Sequence, residues 1–277
     1  MGSGWPTLTT MRVDFPSEGV VHVELARGHK RNAMTSAFFE ELASLFDAIS
    51  LKGRARCVLL SAEGPAFSAG IDLSELSQHD GLPAEPARKA LVLRQKIWRL
   101  QRAVSALEAC PQPVVALVHG AAIGGAVDLL CAADIRWCSA DAWFRVAEVE
   151  LGLAADLGTL QRLPGLVGSR SLACELAFSA RPMGAAEAAA SGFVSRVLAT
   201  REELFDSGLA LAKQIAAMPP VAVAGTKAAL LYSRDHPAVA DGLDQTALYN
   251  SIALQTRDLD EAAAAKRERR VPCYARL

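Results

Sequence analysis

Residues 113 to 133 read PVVALVHGAAIGGAVDLLCAA, and this stretch constrains the fold more than any other. It is long enough to suggest a membrane span. Yet His119 and Asp128 lie within it, and an aspartate near the centre of a span costs on the order of 3 kcal/mol. A strand (PVVALVHG), a glycine turn (AAIGG) and a buried helix (AVDLLCAAD) account for it better. No membrane span is expected.

The flanking sequence follows the same logic. TMRVDFP and VVHVEL read as strands around the turn SEG, and Thr35 opens a helix with Phe38, Leu42, Leu45, Phe46 and Ile49 on one side. ARCVLLSAE is a buried strand ending in the glycine-bearing turn GPAFSAGIDL, residues 77 to 86 are a loop, and a long helix runs from about Arg88 to Glu108. IRWCSA and AWFRV are short strands, and helices dominate the rest. Strands alternating with helices, then helices alone, give an α/β core over residues 1–200 and a C-terminal helical subdomain over residues 201–277. With 51% hydrophobic residues the chain can bury a core, and a net charge of −1 offers no basic face for nucleic acid. The six cysteines contain no CxxC pair and read as reduced thiols of an intracellular protein, and the five histidines make no zinc spacing. No metal site is expected.

Two junctions can carry chemistry. In FSAGIDL and in HGAAIGGAVDL small residues follow a strand and let backbone approach a ligand. A helix beginning there presents free N–H groups, and two such sites facing one carbonyl oxygen make an oxyanion hole. The spacing is not the GxGxxG of dinucleotide folds, no Walker lysine follows, and no GxSxG elbow is present. Asp128, Glu148 and Asp156 come next, among apolar neighbours. Each has an ordinary reading: Asp128 complements a helix dipole, Glu148 is a solvated strand-end charge, Asp156 is a helix N-cap. Each also has a catalytic one, because a buried carboxylate shifts its pKa or finds a partner. Arg31 in the HKRNAM turn is either solvated or a phosphate contact, and Lys227 and KRERR read as an exposed helix face.

PAFSAGIDL, VHGAAIGGAVDLLCAADIRWCSADAWF, GTLQRLP and ARPMGAAEAAASGFVSRV together resemble the crotonase (enoyl-CoA hydratase/isomerase) superfamily, from about residue 10 to the C-terminus. Within it, Asp128, Glu148 and Asp156 resemble the acid set of the Δ3,5-Δ2,4-dienoyl-CoA isomerase branch; hydratases of this pattern carry glutamates at the first two positions and glycine at the third. The resemblance implies a crotonase-like spiral of strand-strand-helix units. It implies backbone N–H groups of Ile71 and Gly125 on the thioester oxygen, and an acyl-CoA substrate contacted by Arg31, Ala66, Ser68, Ala69, Gly70, Ile71, Asp72, Leu73 and Gly125. Asp72 is assigned to the turn shaping that site. Glu148 would take a proton from C2, Asp156 would deliver one to C6, and Asp128 would tune or relay. Coenzyme A enters only as part of the substrate, and no other cofactor is implied.

The resemblance also implies a homo-oligomer, trimer or hexamer, built through the C-terminal helices. Ala275-Arg276-Leu277 resembles the peroxisomal import signal read by a receptor, which points to the peroxisome or a specialised form such as the glycosome in preference to the mitochondrion. Two other functions remain open on the same sequence: an enoyl-CoA hydratase or Δ3,Δ2-enoyl-CoA isomerase, and a crotonase-like RNA-binding protein.

Overall fold

In the computed structural model, which describes residues 5–76 and 81–277, the chain starts with a hairpin of β1 (Met11–Ser17) and β2 (Val20–Leu25). Thr35 then caps α1 (Ser36–Lys52), its hydroxyl accepting the Phe38 N–H. β3 (Cys57–Ala62) and the single turn α2 (Leu73–Leu76) follow. α3 (Pro86–Ala109) opens with proline at its first position and the Glu85 carboxylate on the N–H groups of Ala87 and Arg88. The loop expected over residues 77 to 86 therefore ends at α3, and residues 77–80 lie outside the described residues.

Next come β4 (Val114–Val118), β5 (Ala121–Ile123), α4 (Gly125–Cys131), β6 (Ile135–Ser139) and β7 (Trp143–Arg145). A 3-10 turn over Glu148–Leu151 leads to α5 (Thr159–Leu166) and α6 (Arg170–Ser179). β8 (Met183–Gly184), α7 (Ala185–Ala190) and β9 (Arg196–Leu198) precede α8 (Arg201–Ala216), α9 (Pro220–Asp235), α10 (Val239–Ala253) and α11 (Arg257–Glu268).

The large sheet runs β1-β2-β3-β4-β6-β9, parallel throughout except for β1. The small sheet is β5-β7-β8. A strand in the large sheet followed by one in the small sheet recurs as β4-β5 and β6-β7, which is the strand-strand-helix order of the crotonase spiral. Strand alternation divides the core in two. Val21, Val23, Val58, Leu60 and Val114 face α1, α3 and α4, while Val20, Cys57, Leu59, Val115 and Leu117 face α8. Each such fully buried side chain contributes about 1.5–3 kcal/mol relative to exposure.

Four expectations change. The segment 113 to 133 is two strands and a helix, because Ala121–Ile123, expected as part of a turn, pairs with β7. Short strands β8 and β9 interrupt the helical second half. The boundary at residue 200 does not mark a break in packing: Leu204, Ala212 and Ala216 of α8 belong to the core under the sheet. Lys227, expected on an exposed face, is buried; its Nζ is 2.7 Å from Asp134 Oδ2 and donates to the carbonyls of Leu107 (2.9 Å) and Gln112 (3.1 Å). A buried ammonium requires such partners. Among the described residues no single helix is long and apolar enough to cross a membrane, and all six cysteines are free thiols.

Candidate active site

The segment after β3 runs alongside β5: the Ser68 N–H donates to Ala121 O (3.1 Å) and the Ile123 N–H to Ser68 O (3.0 Å). Gly70 has a φ of 86°, and a Cβ there would stand 2.5 Å from Ile123 O and 3.4 Å from Gly125 N. Glycine alone permits that approach. Met34 clamps the turn, donating to Gly70 O (2.8 Å) and accepting from the Asp72 N–H (2.8 Å). Ile71 sits between these two bonds, and its N–H has no protein acceptor among the described residues. The Gly125 N–H, first in α4 after Gly124 at φ 54° and ψ −120°, has none either. A Cβ on Gly125 would lie 3.7 Å from Ile71 N, so the two donors border one small space. The sequence leads to expect both donors at helix starts. Only Gly125 is; Ile71 precedes α2 and is freed by the bridge to Met34.

Glu148 borders that space, and Asp128 and Asp156 lie near enough for their charges to act on it. Asp128, in the first turn of α4 and 1% exposed, accepts the Thr159 N–H at Oδ1 (2.7 Å). Burial pushes its carboxyl up to about 6, against the lowering hydrogen bonds from Thr159, and the Asp156 charge adds to the rise. Glu148 opens the 3-10 turn, and its Oε1 lies 3.2 Å from where a Cβ on Gly124 would stand, one residue from the Gly125 donor. Its Oε2 is buried without a hydrogen-bond partner among the described residues. Burial raises this carboxyl to about 7, helped by the charges of Asp128 and Asp156. Asp156 is open to solvent on one side and crowded on the other, and that partial burial raises it too. It is not a helix cap: α5 begins at Thr159 behind Gly158. Asp128 and Glu148 are likewise neither simple dipole partners nor solvated charges.

The other expected contacts are spread along one ribbon. Ala69 donates to Arg31 O (2.8 Å), and Arg31, exposed at φ 50°, projects from that turn. Ala66 is buried and its carbonyl accepts Asn32 Nδ2 (3.0 Å). The Ser68 hydroxyl donates to Asn32 O (2.8 Å) and accepts the Gly70 N–H (3.1 Å), so its polar groups are engaged internally. Asp72 caps the turn through Ser74, whose bonds hold its carboxyl below the usual range, and faces Arg27 at 3.8 Å. Leu73 is exposed. From Ile71 and Met34 a cavity of about 590 Å³ opens between α1 and α3, with Phe39, Ala43, Leu93 and Leu100 on its walls beside the charged Glu40, Asp47, Lys96 and Arg99; none of the three carboxylates lines it. Sequence reasoning did not point to Met34, Thr159, Gln101 or Arg162. Thr159 and Arg162 carried a signal as members of GTLQRLP, and Met34 as the last residue of HKRNAM; Gln101 carried none.

Known proteins resemble this chain over most of its length. The family model described as enoyl-CoA hydratase/isomerase matches residues 16–276. The human mitochondrial Delta(3,5)-Delta(2,4)-dienoyl-CoA isomerase is 48% identical over 94% of this chain and 79% of its own. The peroxisomal enzyme of that name from Arabidopsis thaliana is 41% identical over 99% and 98%. A putative enoyl-CoA hydratase from Thermobifida fusca YX, solved in complex with acetoacetyl-CoA, is 34% identical over 88% and 94%, with a TM-score of 0.78. The family model and these relatives agree over nearly the full length: the chain belongs to the enoyl-CoA hydratase/isomerase family.

Proposed function

We propose that the chain isomerises 3,5-dienoyl-CoA to 2,4-dienoyl-CoA in the β-oxidation of unsaturated fatty acids. The observation that carries this reading is the cluster of Asp128, Glu148 and Asp156 beside two free backbone donors, with the unpartnered Oε2 of Glu148 available to accept a proton. The thioester oxygen accepts from Ile71 N–H and Gly125 N–H. Glu148 removes a proton from C2, and the charge spreads from the thioester oxygen along the diene as a dienolate, which the two donors stabilise. Asp156 gives a proton to C6, the double bonds settle at C2 and C4, and proton exchange with solvent returns both carboxyls to their starting states. One proton leaves and one arrives while the electron count stays fixed, so the reaction calls for no redox cofactor. Asp128 keeps the pair's protonation near neutrality through its charge. The backbone ribbon 66–72 and Arg31 face the coenzyme A moiety, and the cavity between α1 and α3 takes the acyl chain.

Ultraviolet spectroscopy with 3,5-octadienoyl-CoA tests the reaction. A conjugated 2,4-dienoyl absorbance appears with the wild type and falls at least about a hundredfold in rate with Asp156→Asn. Rapid turnover by both proteins would remove Asp156 from the chemistry. Hydration of 2-enoyl-CoA without any 2,4-dienoyl product would make the chain a hydratase.

The chain acts as a homo-oligomer on this reading, supported by exposed apolar side chains on α10 and α11. The relatives divide on address, mitochondrial in human and peroxisomal in Arabidopsis thaliana. Ala275-Arg276-Leu277 favours the peroxisome; a reporter carrying this tripeptide that stayed in the cytosol would overturn that assignment.

A further inference from the structure

The acid at C6 poses a positioning problem that the three carboxylates do not solve. Asp156 has no ion pair and no side-chain hydrogen-bond partner among the described residues, so its place depends on the backbone that carries it. That backbone is gripped by one face of α3. Gln101, Ser105 and Glu108 recur at helical spacing on that face. Gln101 Nε2 donates to Asp156 O (2.6 Å). Arg162 donates from Nη2 to Glu108 Oε2 (2.8 Å) and Ser105 Oγ (3.1 Å), and from Nε to Glu108 Oε1 (3.3 Å). The Arg162 and Glu108 side chains are only 12% and 15% exposed. Burial pushes the Glu108 carboxyl up, but the bonds from Arg162 and from Arg234 of α9 overcome this and hold it low, so the pair stays ionised. The Arg162 guanidinium also packs under Gly158, at φ 127°, where a Cβ would stand 1.8 Å from Nη1. Residues 156 to 162 are thus tied to α3 at both ends.

We propose that Gln101 and Arg162 are positioning residues that hold Asp156 opposite C6, and so decide how the dienolate partitions. This rests on the isomerisation reading. Once Glu148 has taken the C2 proton, the dienolate has two fates. Return of a proton to C2 regenerates substrate, and delivery to C6 gives product. The oxyanion donors lie on other segments, and Glu148 feels the clamp only through the charges of Asp156 and of Asp128, which holds the Thr159 N–H, so loosening it costs dienolate formation far less than it costs the forward branch. A displacement of about 1 Å is enough to cost a proton transfer as much as a hundredfold.

The test runs the wild type, Gln101→Met and Arg162→Met in deuterium oxide with 3,5-octadienoyl-CoA. Deuterium at C2 of recovered substrate is read by mass spectrometry, and the 2,4-product by absorbance. The ratio of C2 exchange to isomerisation rises about tenfold or more in both variants, exchange itself stays within about threefold of wild type, and Arg162→Lys recovers part of the ratio. Exchange and isomerisation falling together, or an unchanged ratio, overturns the proposal. Gln101→Met keeps the Arg162–Glu108 pair and provides a folded variant should Arg162→Met fail to fold. A wild type that neither exchanges nor isomerises would instead defeat the functional reading beneath it.

Discussion

On the proposed reading Glu148 is the base, and its carboxyl is raised to about 7, first by burial and then by the charge of Asp128. The base must be ionised to act, so kcat/KM falls as pH drops through about 7. Asp128→Asn keeps an oxygen for the Thr159 N–H and removes the charge. Removing a neighbouring negative charge lowers the Glu148 pKa, so the acid limb moves to lower pH, by about one unit for a close pair. A pH profile of kcat/KM measures it, and a limb that stays in place would mean Glu148 does not sense Asp128. The observed values belong to the cluster, since three interacting carboxyls release protons jointly. Apolar neighbours draw attention to carboxylates in this stretch, but it is the resemblance to the acid set of a family that singles out Asp128, Glu148 and Asp156 over Glu150 and Asp72. Gln101 was not legible in the sequence: it is one polar residue among many on a surface helix, and its partner lies in a distant loop.

At the scale of elements, α9 is fastened to the core through Lys227. Its ammonium joins Asp134, at the entrance to β6, to the carbonyls of Leu107 in α3 and Gln112 before β4. Asp134 otherwise accepts the Val114 N–H (2.8 Å), and burial raises its carboxyl, which Lys227 offsets only in part. Lys227→Met leaves that acid and two carbonyls without their cation. The expected loss is about 3–5 kcal/mol above neutral pH. It shrinks at low pH, where a raised Asp134 takes a proton and no longer needs a counter-charge. Urea unfolding at both pH values checks this, and a pH-independent loss would point to packing alone. Periodicity could not reveal the anchor: Lys227 sits among small residues of a helix, and its carboxylate partner is on another element. β5 was hidden for a related reason, because three residues beside glycines read as a turn until β7 pairs with them. α1 and α3, by contrast, were readable within two residues at most of their ends, since a long amphipathic pattern with a cap is a local property.

For the whole molecule, the covered and uncovered surfaces differ in kind. The sheet is enclosed by α1, α3 and α4 on one side and α8 on the other, yet Leu248 and Ile252, one turn apart on one face of α10, remain 67% and 66% exposed. Covering each contributes about 1.5–3 kcal/mol, so association of copies through this face is expected. Sedimentation gives an oligomer for the wild type, and Leu248→Asp with Ile252→Asp shifts it to a smaller species; a wild type that sediments as a single chain would refute it. The oxyanion donors have a different consequence. They are main-chain groups shaped by Gly70 and Gly124, so any replacement of Ile71 other than proline, which has no N–H, leaves its donor in the chain. Ancestry can therefore exchange the acids at 128, 148 and 156 one at a time while the charge-stabilising centre persists through every step. A change of reaction on this scaffold is then a redirection of protons around an anion whose binding site stays where it was.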